Sequence, residues 1–291
     1  MENAKTAIAA LEACAETIRL PHADGQTVWR VWGEGPSLVL LHGGSGSWLH
    51  WVRNIAVLAQ RFRIFVPDMP GFGDSDSLAS NSVTLLARSI ADDLERLPID
   101  PHYCIAGFSF GTWIGGLLLA HHQERVDRLV LVGAAGLGRT LPLSAGLRSW
   151  RRLPEASARR QAHRQNLEHI MLANPDSVDA LAIEVQSRSA EACRFRHRAV
   201  SEKMMLKDCV ERWPVKLTAL WGKRDAFIGG YFEERHKVML AVDPGAGFHL
   251  IEGAGHWVQF EAPDATNRLL LAACSGAAMD IWEKSVVSLE E

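Results

Sequence analysis

The chain has few of the features that mark membrane, nucleic-acid-binding or disulfide-built proteins. Its five cysteines are odd in number, scattered and without metal-site spacing, so we expect reduced thiols in a cytoplasmic protein. No apolar run approaches the roughly 18 residues of a membrane span, and the net charge of −3 gives no reason to expect nucleic acid. Glu12 and Glu16 interrupt the apolar character near the start, which is therefore not expected to be a signal peptide.

The distribution of apolar residues predicts an α/β protein. With 291 residues and 47% hydrophobic content, the chain can bury the core of one large domain, with room for an insertion. Strand patterns lie near 27–33, 37–41, 62–67, 102–108, 127–133, 215–221 and 247–252. Helical patterns lie near 48–59, 82–97, 110–122, 230–241 and 259–273. This alternation predicts a mostly parallel central sheet with helices on both faces.

The alternation breaks after about residue 137, where only short helical patterns follow. We therefore predict a core formed by 1–137 and 213–291, with 138–212 inserted as a helical lid over the carboxyl ends of the strands. From Arg139 to Arg212 there are twelve arginines and two lysines against nine carboxylates, a net charge of +5. Such a basic cover could steer an anionic small-molecule substrate inward. The alternative is that these arginines lie on solvated helix faces.

One serine lies in a pattern that suggests nucleophilic chemistry. Ser109 is the centre of Gly107-Phe108-Ser109-Phe110-Gly111, between an apolar strand pattern and a helical one. A strand, a tight turn with serine at its tip and a helix form a nucleophile elbow. The turn strains the serine, and side chains two residues away on either side would collide with the strand or the helix. The pentapeptide also occurs by chance, so its meaning depends on the residues that accompany it.

An acid and a histidine follow in the order that this elbow requires. Asp225 comes just after the strand pattern 215–221, and His256 comes after the strand pattern 247–252. A serine hydroxyl needs a base, and an acid that orients the imidazole, to act as a nucleophile. Asp127 and Asp243 are alternative acids, but neither follows a strand end at the required place. His256 is the only histidine in a glycine-rich loop that comes after both the serine and the acid.

Two further motifs give the chain its resemblance to a known family. A glycine-rich loop, His42-Gly43-Gly44-Ser45-Gly46, follows the second strand pattern, and Asp68-Met69-Pro70-Gly71-Phe72-Gly73-Asp74-Ser75 is similar to a D-x-P-G-x-G-x-S loop. From about Val28 to Ala273 the chain resembles the α/β-hydrolase fold serine hydrolases. The resemblance implies the α/β-hydrolase fold and a triad of Ser109, Asp225 and His256. We expect such a triad to work without a cofactor and without a metal.

The proposed oxyanion hole and substrate pocket rest on weaker signals. Backbone N–H groups of Phe110 and Gly44 would bind the oxyanion, with Gly43 or Ser45 as alternatives to Gly44. The segment from His256 to Glu261 resembles that of meta-cleavage product hydrolases, which cut carbon–carbon bonds in ring-opened dienoates, and also that of esterases. The tentative substrate-binding residues are Gly43, Trp48, Phe108, Arg188 and Trp257.

Two of these residues bear on the type of bond that is cleaved. Phe108 stands where meta-cleavage hydrolases usually carry a small polar residue, commonly Asn, and it cannot donate a hydrogen bond. Arg188 stands roughly where those enzymes carry a substrate-binding arginine, although it could equally be a surface residue. Trp48 and Trp257 could be pocket walls or core.

The sequence therefore predicts a serine hydrolase that cleaves a small carboxylic ester or lactone through an acyl-enzyme. The alternative reaction is cleavage of the carbon–carbon bond of a ring-cleavage dienoate, and cleavage of an amide bond is the third. A serine nucleophile argues against dehalogenase or epoxide hydrolase chemistry. A ligand-binding receptor of the same fold is the non-enzyme alternative, and its mark would be a damaged triad or oxyanion loop. Both a monomer and a homo-oligomer remain open.

Overall fold

A single sheet of eight strands organises the chain. The computed structural model describes residues 2–141, 146–196 and 204–275. The strands are β1 Glu16–His22, β2 Gly25–Trp32, β3 Ser37–Leu41, β4 Arg63–Asp68, β5 Tyr103–Phe108, β6 Val126–Val132, β7 Leu217–Gly222 and β8 Gly247–Ile251. Their order across the sheet is β1-β2-β4-β3-β5-β6-β7-β8.

The strand directions confirm the predicted fold class. β2 runs antiparallel to both β1 and β4, and every other pair in the sheet is parallel. The chain therefore has the mostly parallel sheet of the α/β-hydrolase fold. Strand β1 was absent from the sequence prediction because it is an edge strand with mostly exposed or half-exposed residues, so it lacks a continuous apolar run.

Helices cover both faces of the sheet. They are α1 Glu2–Ala13, α2 Ile55–Leu58, α3 Val83–Leu94, α4 Phe110–His122, α5 Ala156–Asn166, α6 Ala180–Ala192, α7 Leu206–Arg212, α8 Phe232–Val242, α9 Val258–Glu261 and α10 Pro263–Cys274. The predicted helix 48–59 is two short pieces, a 3₁₀ turn at Trp48–Trp51 and α2. Within the described ranges no helix has the length and apolarity to cross a bilayer.

Strand register brings the functional loops to one edge of the sheet. Leu41 of β3 pairs with Gly107 of β5, and Phe108 pairs with Val132 of β6. Because the carboxyl ends of these parallel strands lie side by side, the loops that follow them meet. The glycine-rich loop after β3 and the elbow after β5 are therefore neighbours.

The segment between β6 and β7 contains α5, a π-helical turn at Leu167–Met171, α6 and α7. Helix α7 packs against α4, because Leu206 and Cys209 touch the position of Gly116. Leu206 and Cys209 are fully buried within the core of the domain. We therefore propose that the inserted lid ends before α7, and that the predicted boundary at residue 212 takes in one helix of the core.

A buried arginine ties the first helix and two strands to the motif loop. Arg30 on β2 contacts Glu12 at 2.8 Å and Asp68 at 3.0 Å, and it also pairs with Asp74. Asp68 in turn accepts the backbone N–H of Trp48 and of Asp74. Burial raises the pKa of Asp68, while Arg30 and these two N–H groups oppose the rise. This network gives a structural role to Asp68, the first residue of the D-x-P-G-x-G-x-S motif, and to Asp74, which stands just before its serine.

Replacing the arginine should destabilise the fold strongly. Arg30→Met leaves Asp68 buried without its cation, so we expect the free energy of unfolding to fall by about 3–5 kcal/mol in urea melts. Arg88→Met is the control, because the Arg88–Asp92 pair is more than half exposed and should change stability by about 0.5 kcal/mol or less. Equal losses for the two variants would contradict the assigned role of Arg30.

Candidate active site

The turn at Ser109 has the strained geometry of a nucleophile elbow. Ser109 has φ 49° and ψ −111°, and its N–H donates to Val132 O at 2.8 Å. A side chain on Gly107 would place its Cβ 2.5 Å from Gly111 O, and one on Gly111 would come 2.5 Å from Leu41 O. The two glycines let β5, α4 and β3 approach this closely, so the half-buried serine stands at the tip of the turn.

The structure brings Ser109, His256 and Asp225 into one hydrogen-bonded chain. His256 Nε2 lies 2.9 Å from Ser109 Oγ, and His256 Nδ1 lies 2.8 Å from Asp225 Oδ2. Asp225 lies in the turn after β7, and His256 in the loop after β8. A hydroxyl, an imidazole and a carboxylate joined in this order can activate a nucleophile. The two alternative acids lie elsewhere: Asp127 faces His102, and Asp243 accepts the N–H of Leu217 at the opposite end of β7.

Apolar rings and fixed dipoles surround the histidine and the acid. The His256 ring lies between Phe227, at a centroid distance of 4.4 Å, and Phe108, at 5.1 Å. The second oxygen of Asp225 accepts the N–H of Phe227 at 2.9 Å. Arg235 on α8 is fully buried and close enough to interact electrostatically with Asp225. Asp225 is therefore held in one orientation and has a nearby cation.

A glutamate anchors the loop that carries the histidine. Glu261 accepts the N–H of Gly255 at 2.7 Å, next to His256. The same carboxylate accepts the N–H groups of Ala173 at 3.0 Å and Asn174 at 2.7 Å in the insertion. Glu261 thus joins the histidine loop to the inserted segment, which gives a structural reason for the acid at the end of the segment His256 to Glu261.

Two histidines hold Gly43 in the loop after β3. The N–H of Gly43 donates to His50 Nδ1 at 3.1 Å, and Met69 N–H donates to His42 Nε2 at 3.1 Å. An accepting ring nitrogen carries no proton, so a neutral His42 is protonated at Nδ1, which donates to Gly43 O at 2.8 Å. Both backbone groups of Gly43 are therefore engaged.

The Gly43 N–H is already hydrogen-bonded to His50, so it is a poorer candidate for binding the oxyanion than a backbone N–H without a partner. Gly44 is exposed, and none of the described residues accepts a hydrogen bond from its N–H. Phe110 follows the nucleophile as the first residue of α4, where backbone N–H groups point out of the helix end. Among the residues weighed from the sequence, Gly44 and Phe110 are thus better placed than Gly43.

The remaining predicted substrate residues lie in the core or at the surface. Phe108 is buried, and its ring fills the space beside Gly43. The Trp48 ring packs on Trp32 at 5.5 Å and under Arg30. Trp257 stacks on Phe260 and donates to His50 O at 3.0 Å. Arg188 is 41% exposed and pairs with Glu12 at 3.4 Å.

None of these contacts joins Trp48 or Arg188 to the triad within the described part of the chain. Their roles in substrate binding stay predictions. Within the same residues, no group of three or more His, Cys, Asp and Glu side chains is arranged to hold a metal ion.

The sequence profile of the α/β hydrolase fold family matches residues 36–263, which is most of the chain. The protein belongs to the α/β hydrolase fold family. This membership confirms the predicted family and the prediction that the chain is a hydrolase-family enzyme, and it accounts for the eight-stranded sheet described above.

Two similar proteins are named as dienoate hydrolases, and a solved structure with the same fold is a carboxylesterase. The 2-hydroxy-6-oxo-6-phenylhexa-2,4-dienoate hydrolase of Burkholderia cepacia is 28% identical over 258 residues, covering 82% of this chain and 87% of that protein. The 2-hydroxy-6-oxononadienedioate/2-hydroxy-6-oxononatrienedioate hydrolase of Comamonas testosteroni is 28% identical over 262 residues, covering 82% and 87%. A carboxylesterase of Bacillus subtilis superposes with a TM-score of 0.73 at 19% identity, covering 95% of this chain and 100% of that one, and this likeness shows the fold alone.

Three residues around the site of this hydrolase were not singled out from the sequence. They are His50, which binds Gly43, Glu261, which binds the histidine loop, and Arg235, whose charge acts on Asp225. His50 lies in the predicted helix 48–59 and carries no motif of its own. Arg235 lies on a helix ten residues later, where it donates to Tyr231 O and Arg139 O and interacts with Asp225 only through its charge. Only Glu261, at the end of the quoted histidine segment, had a signal that could have revealed it.

The two buried histidines should make the folded protein sensitive to acid. Burial lowers the pKa of His42 from 6.5 to about 4. Burial, with the nearby His42 and His256, lowers that of His50 well below its ordinary value. On acidification the unfolded chain therefore takes up protons before the folded protein does. The contribution of these two rings to the free energy of unfolding is fully present above about pH 6.5, and it is lost as the pH falls toward 4.

We expect the free energy of unfolding to drop by about 3 kcal/mol for His42 alone across that interval. Urea melts at pH 7.5, 6.5, 5.5 and 4.5 measure it. An unfolding free energy that stays constant or rises on acidification would show that these rings are not held neutral.

Proposed function

We propose that this α/β hydrolase cleaves small carboxylic esters or lactones through an acyl-enzyme on Ser109. The observation that carries the proposal is the hydrogen-bonded chain from Ser109 Oγ to His256 and Asp225, with distances of 2.9 and 2.8 Å. The strained turn at Ser109 supports it, because backbone strain of this kind is concentrated at functional sites.

The reaction proceeds in two halves. His256 Nε2 takes the proton of Ser109 as the serine oxygen attacks the substrate carbonyl carbon, and Asp225 stabilises the imidazolium through Nδ1. Collapse of the tetrahedral intermediate breaks the ester bond, and the imidazolium gives its proton to the leaving alcohol. Water, deprotonated by His256, then attacks the acyl-enzyme to form a second tetrahedral intermediate. Its collapse breaks the bond between the acyl carbon and Ser109 Oγ, the imidazolium returns its proton to Ser109, and the carboxylic acid is released.

The negative oxygen of each tetrahedral intermediate binds to the N–H groups of Gly44 and Phe110. The support for Gly44 is that the Gly43 N–H is already bound to His50 while Gly44 is exposed. A single donor of this kind is worth roughly 2.7–4 kcal/mol of transition-state stabilisation. The buried, neutral His42 and His50 add no charge of their own to this loop.

Two contacts favour an ester over a carbon–carbon bond. Phe108 presents only an apolar ring next to His256, so the residue before the nucleophile cannot donate to a dienoate carboxylate or enolate. Arg188 pairs with Glu12 at the surface instead of contacting the triad. Within the described part of the chain, neither Phe108 nor Arg188 therefore offers a dienoate acid a polar or cationic contact at Ser109.

The charge of the insertion also does not require an anionic substrate. Arg188 and Arg164 pair with carboxylates, and Arg194 donates to backbone carbonyls. The positive charge of these three arginines is therefore balanced or hydrogen-bonded by neighbouring groups of the protein. This supports the interpretation that they are solvated or structural side chains.

Carbon–carbon hydrolysis is the second candidate. It is favoured by the dienoate hydrolases of Burkholderia and Comamonas that are similar over most of the chain. It would use the same serine, histidine and acid, with water as the second reactant. A ligand-binding role without turnover has less support, because the hydrogen-bonded triad is continuous.

One assay compares the two enzymatic candidates. We expect Ser109-dependent hydrolysis of a short-chain p-nitrophenyl ester, and no change in the colour of a ring-cleavage dienoate under the same conditions. Ser109→Ala should lower kcat/KM for the ester by roughly 10⁴-fold or more, because the nucleophile is lost while binding remains.

The Ser109→Ala variant is the blank for both substrates. Rapid Ser109-dependent loss of the dienoate colour with slow ester turnover would reverse the preference and support the second candidate. Ester hydrolysis that survives in Ser109→Ala would place the reaction at another group and contradict the proposal.

A further inference from the structure

The inserted helix α6 contacts the loop that carries the proposed oxyanion donor. Ser189 Oγ lies 2.8 Å from Ser47 Oγ, and both residues are buried. Four residues later, just past the end of α6, Cys193 Sγ donates to Phe195 O at 3.6 Å. Burial raises the pKa of this thiol, and the nearby Ser45 hydroxyl opposes the rise. Residues four apart lie on the same side of a helix, so one side of α6 meets the segment 43–47, called the oxyanion loop below.

The oxyanion loop is strained and needs support from its surroundings. Ser45 has φ 53°, in the left-handed region that a residue with a side chain rarely adopts. Gly46 N–H closes a tight turn on Gly43 O at 3.1 Å, and Ser47 caps the 3₁₀ turn that follows. Such a conformation persists only where neighbouring groups hold it. His42 and His50 hold Gly43 from the core side. From the insertion, Ser189 is hydrogen-bonded to Ser47, and the Cys193 thiol lies near the Ser45 hydroxyl.

We propose that Ser189 and Cys193 are positioning residues that keep the oxyanion loop in the conformation that presents the Gly44 N–H to the substrate. The proposal rests on the function proposed above, because it concerns the binding of the tetrahedral intermediate. It assigns the inserted segment a part in the chemical step as well as in covering the site.

The position of α6 is itself fixed near both ends. Asp179 caps its first turn by accepting Ala182 N–H at 2.8 Å, and it pairs with Arg53 at 2.5 Å. Toward the other end, Arg188 pairs with Glu12 of α1. A shift of the insertion would therefore be transmitted to the oxyanion loop through the side of α6 that carries Ser189 and Cys193. The docking of the insertion thus helps to hold the proposed oxyanion loop in place.

The test is the steady-state kinetics of Ser189→Ala on a p-nitrophenyl ester. We expect kcat to fall about tenfold or more with KM changed less than about twofold, because the loss is confined to the transition state. A phenylboronic acid inhibitor, whose adduct with serine is tetrahedral, should bind more weakly by a similar factor. A purely structural role would not separate kcat from KM in this way.

Ser187→Ala is the matched control on the same helix. The Ser187 hydroxyl is shielded from solvent and has no hydrogen-bond partner within the described residues, so kcat should stay within about twofold. Cys193→Ser keeps a group that can donate to Phe195 O and accept from the Ser45 hydroxyl, so it should retain most of the activity. Cys193→Ala should show the same selective loss of kcat. This pair decides the question if Ser189→Ala does not fold.

An unchanged kcat in both Ser189→Ala and Cys193→Ala, with full wild-type turnover, would overturn this inference and leave the proposed function standing. A rise in KM alone would make these residues part of the substrate wall instead. Wild-type protein without ester turnover would overturn the proposed function, and the inference with it.

Discussion

The contact between three backbones at the turn of Ser109 is the constraint on which the site depends. Gly107 and Gly111 allow strand β5, helix α4 and strand β3 to approach within distances that any side chain would prevent. This approach forces Ser109 into a strained conformation and turns its hydroxyl toward His256. The strain is held by the sheet itself, since the Ser109 N–H is bonded to Val132 of the neighbouring strand.

Neutral histidines and a docked helix complete the site around this turn. His42 and His50 are buried without charge, and they bind both backbone groups of Gly43 through opposite ring tautomers. Glu261 fixes the histidine loop to the insertion through three backbone N–H groups. The core and the insertion therefore meet at the two loops that the proposed mechanism needs, one with His256 and one with Gly44.

The sequence predicted the parts of the fold and site that local patterns encode. Ser109, Asp225 and His256 could be singled out because each follows an apolar strand within a turn of small or polar residues. Parallel strands bring such turns together, and the three side chains are hydrogen-bonded in the structure. Strand β1 was missed because its edge position allows exposed residues. His50 and Arg235 were missed because their roles come from packing between segments far apart in the chain. The pairing of Arg188 with Glu12 likewise depends on where α1 docks, which no local pattern records.

The measurement that tests the account most directly is labelling with a fluorophosphonate, followed by peptide mapping. An activated serine attacks phosphorus and forms a stable adduct, whereas an ordinary serine does not. The account predicts one adduct, located at Ser109, that is absent in Ser109→Ala and in protein unfolded before labelling. A native protein that forms no adduct at Ser109 would contradict the assignment of the nucleophile and favour a ligand-binding role.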